Sequence, residues 1–334
     1  MMREWRSNLA LWLLVGLVLL AVSSILILVN GAVKVPTAEV WQSFTDFDKS
    51  NQLHQIIRNL RLPRLLGGML VGAALATSGT LMQGVTHNPL ADAGLLGINA
   101  GAGLGLALTF VFFHTPSQSL VFVAAILGAG ISVGLIFFVA KQTKLGMSPL
   151  RMTLVGAGIS ALFVALSQAL ALQFDLGQDL LFWTLGGVAV ITWSQLQVAA
   201  PIFMVALLLA VMNASSVTIL RFGDEAAISL GKNPQRLRLL LSLVVLLLAG
   251  TAVALVGAIS FVGLIVPHFL RRLVGDNYRK LVPLSIAGGA LLVIWADFLA
   301  RIINPPFETP FGILIAVIGI PFFLLLSRKG GIGG

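Results

Sequence analysis

From Leu9 to Val29 the chain runs through 21 residues without one charged side chain. A helix rises about 1.5 Å per residue, so roughly 20 apolar residues cross the hydrocarbon core of a bilayer. Comparable stretches recur near 65–84, 95–113, 119–140, 152–172, 194–212, 239–257, 260–274, 282–300 and 311–327. Only 10% of the 334 residues are charged and 58% are hydrophobic. Soluble domains are about 25% charged and about 45–50% apolar. A water-soluble fold of this length cannot hide so much apolar surface, so the solvent is lipid. The pattern predicts an all-α polytopic membrane protein, one transmembrane domain over residues 1–334, with about ten spans. The eighth stretch is short, which predicts a broken or tilted element. The 35 glycines suit a bilayer, where small residues let helices approach closely.

The start, Met1-Met2-Arg3-Glu4-Trp5-Arg6, looks like a secretory leader. Its apolar run is too long, and no small-residue cleavage site follows, so we read it as the first span. Absence of cysteine excludes disulfides, thiolate metal sites and a cysteine nucleophile. The net charge of +9 follows from topology rather than from nucleic acid binding. With the N-terminus inside, alternating spans place 15 of the 21 basic residues on the cytoplasmic side, and both termini lie there. Residues 30–64 then form a polar outer loop. Residues 173–193 form an amphipathic outer segment with Phe182, Trp183 and Trp193 at the interface, and 213–238 the largest cytoplasmic segment.

Five stretches stand out. Gly223-Asp224-Glu225-Ala226-Ala227 through Gly231 and Pro234 predicts a short cytoplasmic helix-turn-helix, with acids at the helix start, a slim alanine face, and a Gly/Pro stop. Its plain alternative is a connecting loop. In Arg61-Leu62-Pro63-Arg64, proline suits the first turn of span two, so two arginines flank its outer mouth, and Arg301 lies at the same face. They either snorkel to headgroups or offer forks to a partner's carboxylates. His87-Asn88-Pro89-Leu90 marks a cytoplasmic turn, followed by closely spaced glycines. Gly263-Leu264-Ile265-Val266-Pro267-His268 carries a bend and a histidine best read as structural. Asp297 is the single acid inside a span, expected to pair with Arg301 one turn on. Gly79–Pro89 and Gly257–Pro267 share a ten-residue spacing, a faint sign of an inverted repeat.

In this order the stretches resemble the FecCD family of ABC importer permeases, over residues 10 to 327. The cytoplasmic stretch matches that family's E-A-A-x3-G coupling signature. The resemblance implies ten helices in a bacterial cytoplasmic (inner) membrane and a type II ABC importer permease fold. It implies a second permease subunit, identical or sister, and two ATPase subunits gripping Gly223, Asp224, Glu225, Ala226, Ala227 and Gly231. It also implies an extracellular or periplasmic binding protein whose glutamates face Arg61, Arg64 and Arg301. A cytoplasmic gate would fall at Asn88 and Leu90 and at Ser148 and Leu150. The segment 144–151 matches the family less closely. No cofactor or metal is expected on this chain, and no catalysis. ATP and Mg belong to the partner ATPase, and no G-x4-G-K-[ST] motif occurs. The expected cargo is a ferric siderophore or ferric citrate, with heme or cobalamin as the alternative. A proton- or sodium-coupled secondary transporter using Asp297 is the rival mechanism.

Overall fold

A computed structural model describes residues 8–31, 33–113, 115–142, 149–304 and 307–330. These form thirteen α-helical segments. They are α1 (Leu9–Val29), α2 (Thr37–Thr45), α3 (Gln52–Thr86), α4 (Ile98–Phe112), α5 (Gln118–Gln142), α6 (Pro149–Gln173) and α7 (Gly177–Leu185). Then follow α8 (Trp193–Arg221), α9 (Asp224–Ser229), α10 (Pro234–Val256), α11 (Val262–Val274), α12 (Tyr278–Ile302) and α13 (Phe311–Gly330).

Ten of these coincide with the ten apolar stretches. Seven are long and apolar enough to cross a membrane, namely α1, α3, α5, α6, α8, α10 and α12. Helix α4 and the stretch Phe311–Leu324 of α13 are apolar but shorter, and α11 has only 13 residues. That brevity follows from Phe261, held at φ 70°, which breaks the chain between α10 and α11.

Helix α3 is the hub. Its most apolar window is 83% buried, against 11% for α6 and 17% for α1. It packs on α12, α8, α11 and α10. Small residues permit this. A Cβ on Gly72 would collide with the carbonyl of Gly289 on α12, and one on Gly289 with the carbonyl of Gly72. Gly79 meets the backbone of Gly263 on α11 in the same way. In lipid, such backbone approach replaces the hydrophobic drive that packs soluble helices. Gly257 instead meets the carbonyl of Trp183, so the glycines of the suspected repeat make different contacts.

Two connections differ from expectation. The segment 30–64, expected as an outer loop, is not a loop throughout: α2 lies within it, and α3 begins at Gln52. Pro63 therefore sits inside a continuous helix rather than opening one. Residues Ile56–Arg61 form a wider π-type turn just before it, in which Leu62 N–H donates to Ile57 O. The proline's missing N–H and its clash with the preceding turn are absorbed there. Farther along the chain, α8 continues to Arg221, past the end expected at 212. Asn213 and Thr218 bond their side chains to carbonyls one turn back, so polar residues do not stop the helix.

Candidate functional site

The C-terminal end of α8 leads into a compact knob. Gly223 at φ 104° turns the chain, and Asp224 and Glu225 begin α9 at the positive end of its dipole. The helix closes after six residues. Lys232 N–H donates to Ala227 O and Gly231 N–H to Ile228 O, both at 2.9 Å, with Gly231 left-handed at φ 71°. This paired closure is a Schellman cap, and a β-carbon at that φ is strained. Asn233 then caps α10 through Arg236 N–H, and Pro234 occupies its first turn. Arg238 on α10, 1% exposed, reaches back to Asp224 with Nη1–Oδ2 of 3.0 Å. The buried guanidinium thus fixes α9 against α10.

The knob's faces are distinct. Ala227 is fully buried. Glu225 is exposed and has no hydrogen-bond partner among the described residues. Around it Phe222, Ile228 and Leu230 are 78%, 62% and 64% exposed. Large apolar residues left open on a polar face mark a contact surface. The acid, alanines and glycine of the motif stand out in the sequence, and these three lie beside them unmarked. The signal was available, since all three are bulky residues flanking the same motif.

The three expected arginines gather where α1, α3 and α12 meet, though not as an open patch. Arg61 is 7% exposed and donates to Leu28 O and Val33 O. It thereby holds the C-terminal end of α1, where last-turn carbonyls lack helical partners. Arg64 lies between two carboxylates. It donates to Asp297 from Nε at 3.0 and 3.1 Å and from Nη2 at 2.8 Å, and to Glu308 at 2.8 and 3.0 Å. Arg301, 8% exposed, has its Nε 3.5 Å from Asp297. The expected Asp297–Arg301 pair is present, but Arg64 of α3 is the closer partner. A contact across 233 residues is invisible to a one-helix spacing rule. Three cations and two anions leave the cluster net positive. The Arg64 hydrogen bond holds the Glu308 carboxyl below the usual glutamate range, with the charges of Arg64 and Arg301 adding to it. Arg58, unremarked in the sequence, is exposed on this face with its guanidinium 4.6 Å over the Phe47 ring.

At the C-terminal end of α3, His87 adopts φ 55° and stops the helix, its Nε2 2.6 Å from Leu220 O. Asn88 Oδ1 accepts from Leu90 N–H at 2.9 Å, so the Asn-Pro turn is locked by its own side chain. Asn88 is exposed and Leu90 half-buried. Leu150 at the start of α6 is 69% exposed. Ser148 lies outside the described residues. Asp92 accepts from Ala93 N–H at 2.7 Å and lies against Gly263.

A bundle of membrane-crossing helices with a locked knob at one end and a charged cluster at the other defines a multi-pass membrane transport subunit. The model of the FecCD transport family matches residues 19–329, and the chain belongs to that family. It is 39% identical over 317 residues to the iron(3+)-hydroxamate import system permease protein FhuB of Bacillus subtilis, covering 95% of this chain and 83% of that one. It is 41% identical over 276 residues to the Fe(3+)-citrate import system permease protein YfmD of the same organism, 82% of each chain. A solved metal-chelate type ABC transporter in an inward-facing conformation superposes with a TM-score of 0.83 at 29% identity, covering 95% of this chain and 98% of that one.

Proposed function

We propose that this chain is the membrane permease of an ATP-driven importer that passes an iron chelate from an external binding protein to the cytoplasm. The observation that carries the reading is the knob at Gly223–Gly231. It is too short to be a folding unit of its own, yet it is fixed by a buried arginine, a Schellman cap and an asparagine cap. A segment so braced, exposing Glu225, Phe222, Ile228 and Leu230, suits transmission of force from an ATPase to the helices. ATP and Mg act on that partner, and this chain performs no covalent chemistry.

Helix α6, with only 11% of its apolar window buried, offers a long face for a second permease subunit. Both termini are cytoplasmic in this reading, which the charge distribution supports. On the outer face a binding protein's carboxylate would compete with Glu308, 48% exposed, for Arg64. Arg61 and Arg301 contribute by holding α1 and Asp297 in place and by adding positive charge. Asn88, Leu90, Ser148 and Leu150 are proposed as the inner gate. The iron-chelate cargo rests on the relatives' names, and heme or cobalamin is the second reading. A secondary transporter finds less support, because Asp297 is already engaged by Arg64 and Arg301.

The test is binding-protein-stimulated ATP hydrolysis by the assembled importer. Glu225→Arg and Ile228→Asp abolish the stimulation and leave the ATPase's own basal hydrolysis. Normal stimulation in both variants would remove the knob from the coupling path.

A further inference from the structure

A groove of about 510 Å³ runs between α1, α11 and α12. Helices α1 and α11 both pack on α12, which forms its floor. The floor is low because residues there are small. A Cβ on Gly16 of α1 would lie 3.2 Å from that of Ala287, and one on Gly288 would lie 3.1 Å from Val266 of α11. Exposed Leu19 and Phe269 line the groove from either side. Among the described residues no charged or hydroxyl side chain lines it, and the Trp295 indole N–H at one end is taken by Ser23 Oγ at 2.9 Å. The floor runs from Leu284 to Trp295. At about 1.5 Å per residue that is roughly 16 Å, half of the ~30 Å hydrocarbon core. The groove therefore has the depth of one leaflet.

Its two ends differ in charge. Gly16 meets Ala287 and Ser23 meets Trp295, so α1 and α12 run in parallel. Trp12, Leu273 and Leu284 thus share one end, beside the turn from α11 to α12. Lys280 lies one turn before Leu284, on the groove side of α12. Arg272 precedes Leu273, is exposed, and pairs with no carboxylate among the described residues. Asp276 is the only acid between 271 and 280, and it is shared by Arg271, at 3.1 Å, and Arg221. Arg271, Arg272, Arg279 and Lys280 against that one acid leave the turn net positive. Basic residues at the mouth of an apolar pocket between membrane helices suit a lipid phosphate.

We propose that this groove binds one acyl chain of an anionic phospholipid, whose headgroup phosphate is held by Arg272 and Lys280. The leaflet is the cytoplasmic one in the topology proposed above, but the lipid site does not depend on the importer reading. A lipid tail gains no hydrophobic energy by leaving its neighbours. Retention comes from contact on three sides and from the cations, whose apolar stems reach past the groove mouth to the headgroup. A second copy of this chain packed here about a twofold axis would set the same cations against each other.

The experiment reconstitutes the full chain in phosphatidylcholine nanodiscs with a trace of phosphatidylglycerol whose acyl chains are brominated. Quenching of tryptophan fluorescence is read, since Trp12 and Trp295 line the groove. The expected result is saturable quenching, about tenfold or more tighter for brominated phosphatidylglycerol than for brominated phosphatidylcholine. Arg272→Gln weakens the anionic lipid about fivefold, and Arg272→Gln/Lys280→Gln brings it to the phosphatidylcholine level. Val15→Phe/Leu19→Phe fills the groove and removes the saturable quench with both cations in place. Trp12→Phe/Trp295→Phe loses most of its amplitude. Equal affinity for the two lipids, an unchanged affinity in the double charge variant, or undiminished quenching after groove filling would overturn the proposal. So would disulfide linkage of two copies through Leu19→Cys, in a chain with no native cysteine, which would assign the groove to subunit packing.

Discussion

Asp297→Asn removes one negative charge from the arginine–carboxylate cluster and keeps the shape. The wild-type carboxylate accepts three hydrogen bonds from Arg64, and the two side chains are 7% and 13% exposed. Removing one partner of a buried pair costs about 3–5 kcal/mol. Here Arg64 keeps Glu308, so the expected loss is nearer about 2–3 kcal/mol. Glu308→Gln breaks a pair whose acid is 48% exposed, and costs about 0–1 kcal/mol. Thermal unfolding in nanodiscs, followed by tryptophan fluorescence at one fixed scan rate, reads the difference. Trp295 lies two residues from the change. The predicted fall in apparent midpoint is about 3–8 °C for Asp297→Asn and about 0–2 °C for Glu308→Gln. The double variant Arg64→Gln/Asp297→Asn loses less than the sum of its singles, because the two side chains share one interaction. An Asp297→Asn midpoint no lower than that of Glu308→Gln would refute the assignment of the cluster's main bond.

Other predictions follow from the same geometry. Gly79→Val puts a side chain into the Gly263 backbone, so the purified yield of monodisperse protein collapses, whereas Gly103→Ala, with open space at its Cβ, leaves it unchanged. Size-exclusion profiles check both. Arg238→Met loosens α9 and lowers stimulated ATP hydrolysis several-fold while α-helical circular dichroism stays constant. For Glu308 the folded carboxyl titrates below the ordinary value of 4.5. Its stabilising bond to Arg64 is therefore complete above that value and is lost as pH falls through the lower folded value. Midpoints of wild type and Glu308→Gln thus differ near neutrality and converge in acid.

Much of this was legible in the sequence because lipid imposes a simple rule. Each apolar stretch from Leu9 to 327 became a helix, since backbone groups in hydrocarbon must pair within their own segment. The knob was equally legible, because Gly223, Gly231 and Pro234 act on φ and N–H locally. What was hidden depended on distant approach. Helix α2 and the first turns of α3 are polar and carry no span signal. Pro63 read as a helix start because a π-type turn has no pattern in composition. Arg61 read as a surface cation, although its partners are carbonyls 28 and 33 residues away. Trp183 read as an interfacial aromatic, although its indole Nε1 is buried.

The importer claim is tested most directly in sealed vesicles that hold this permease with its ATPase inside and its binding protein outside. The account predicts accumulation of radiolabelled ferric chelate that requires internal ATP, requires the binding protein, and is unaffected when proton and sodium gradients are collapsed. Accumulation driven by an imposed proton or sodium gradient, with no ATPase present, would contradict it.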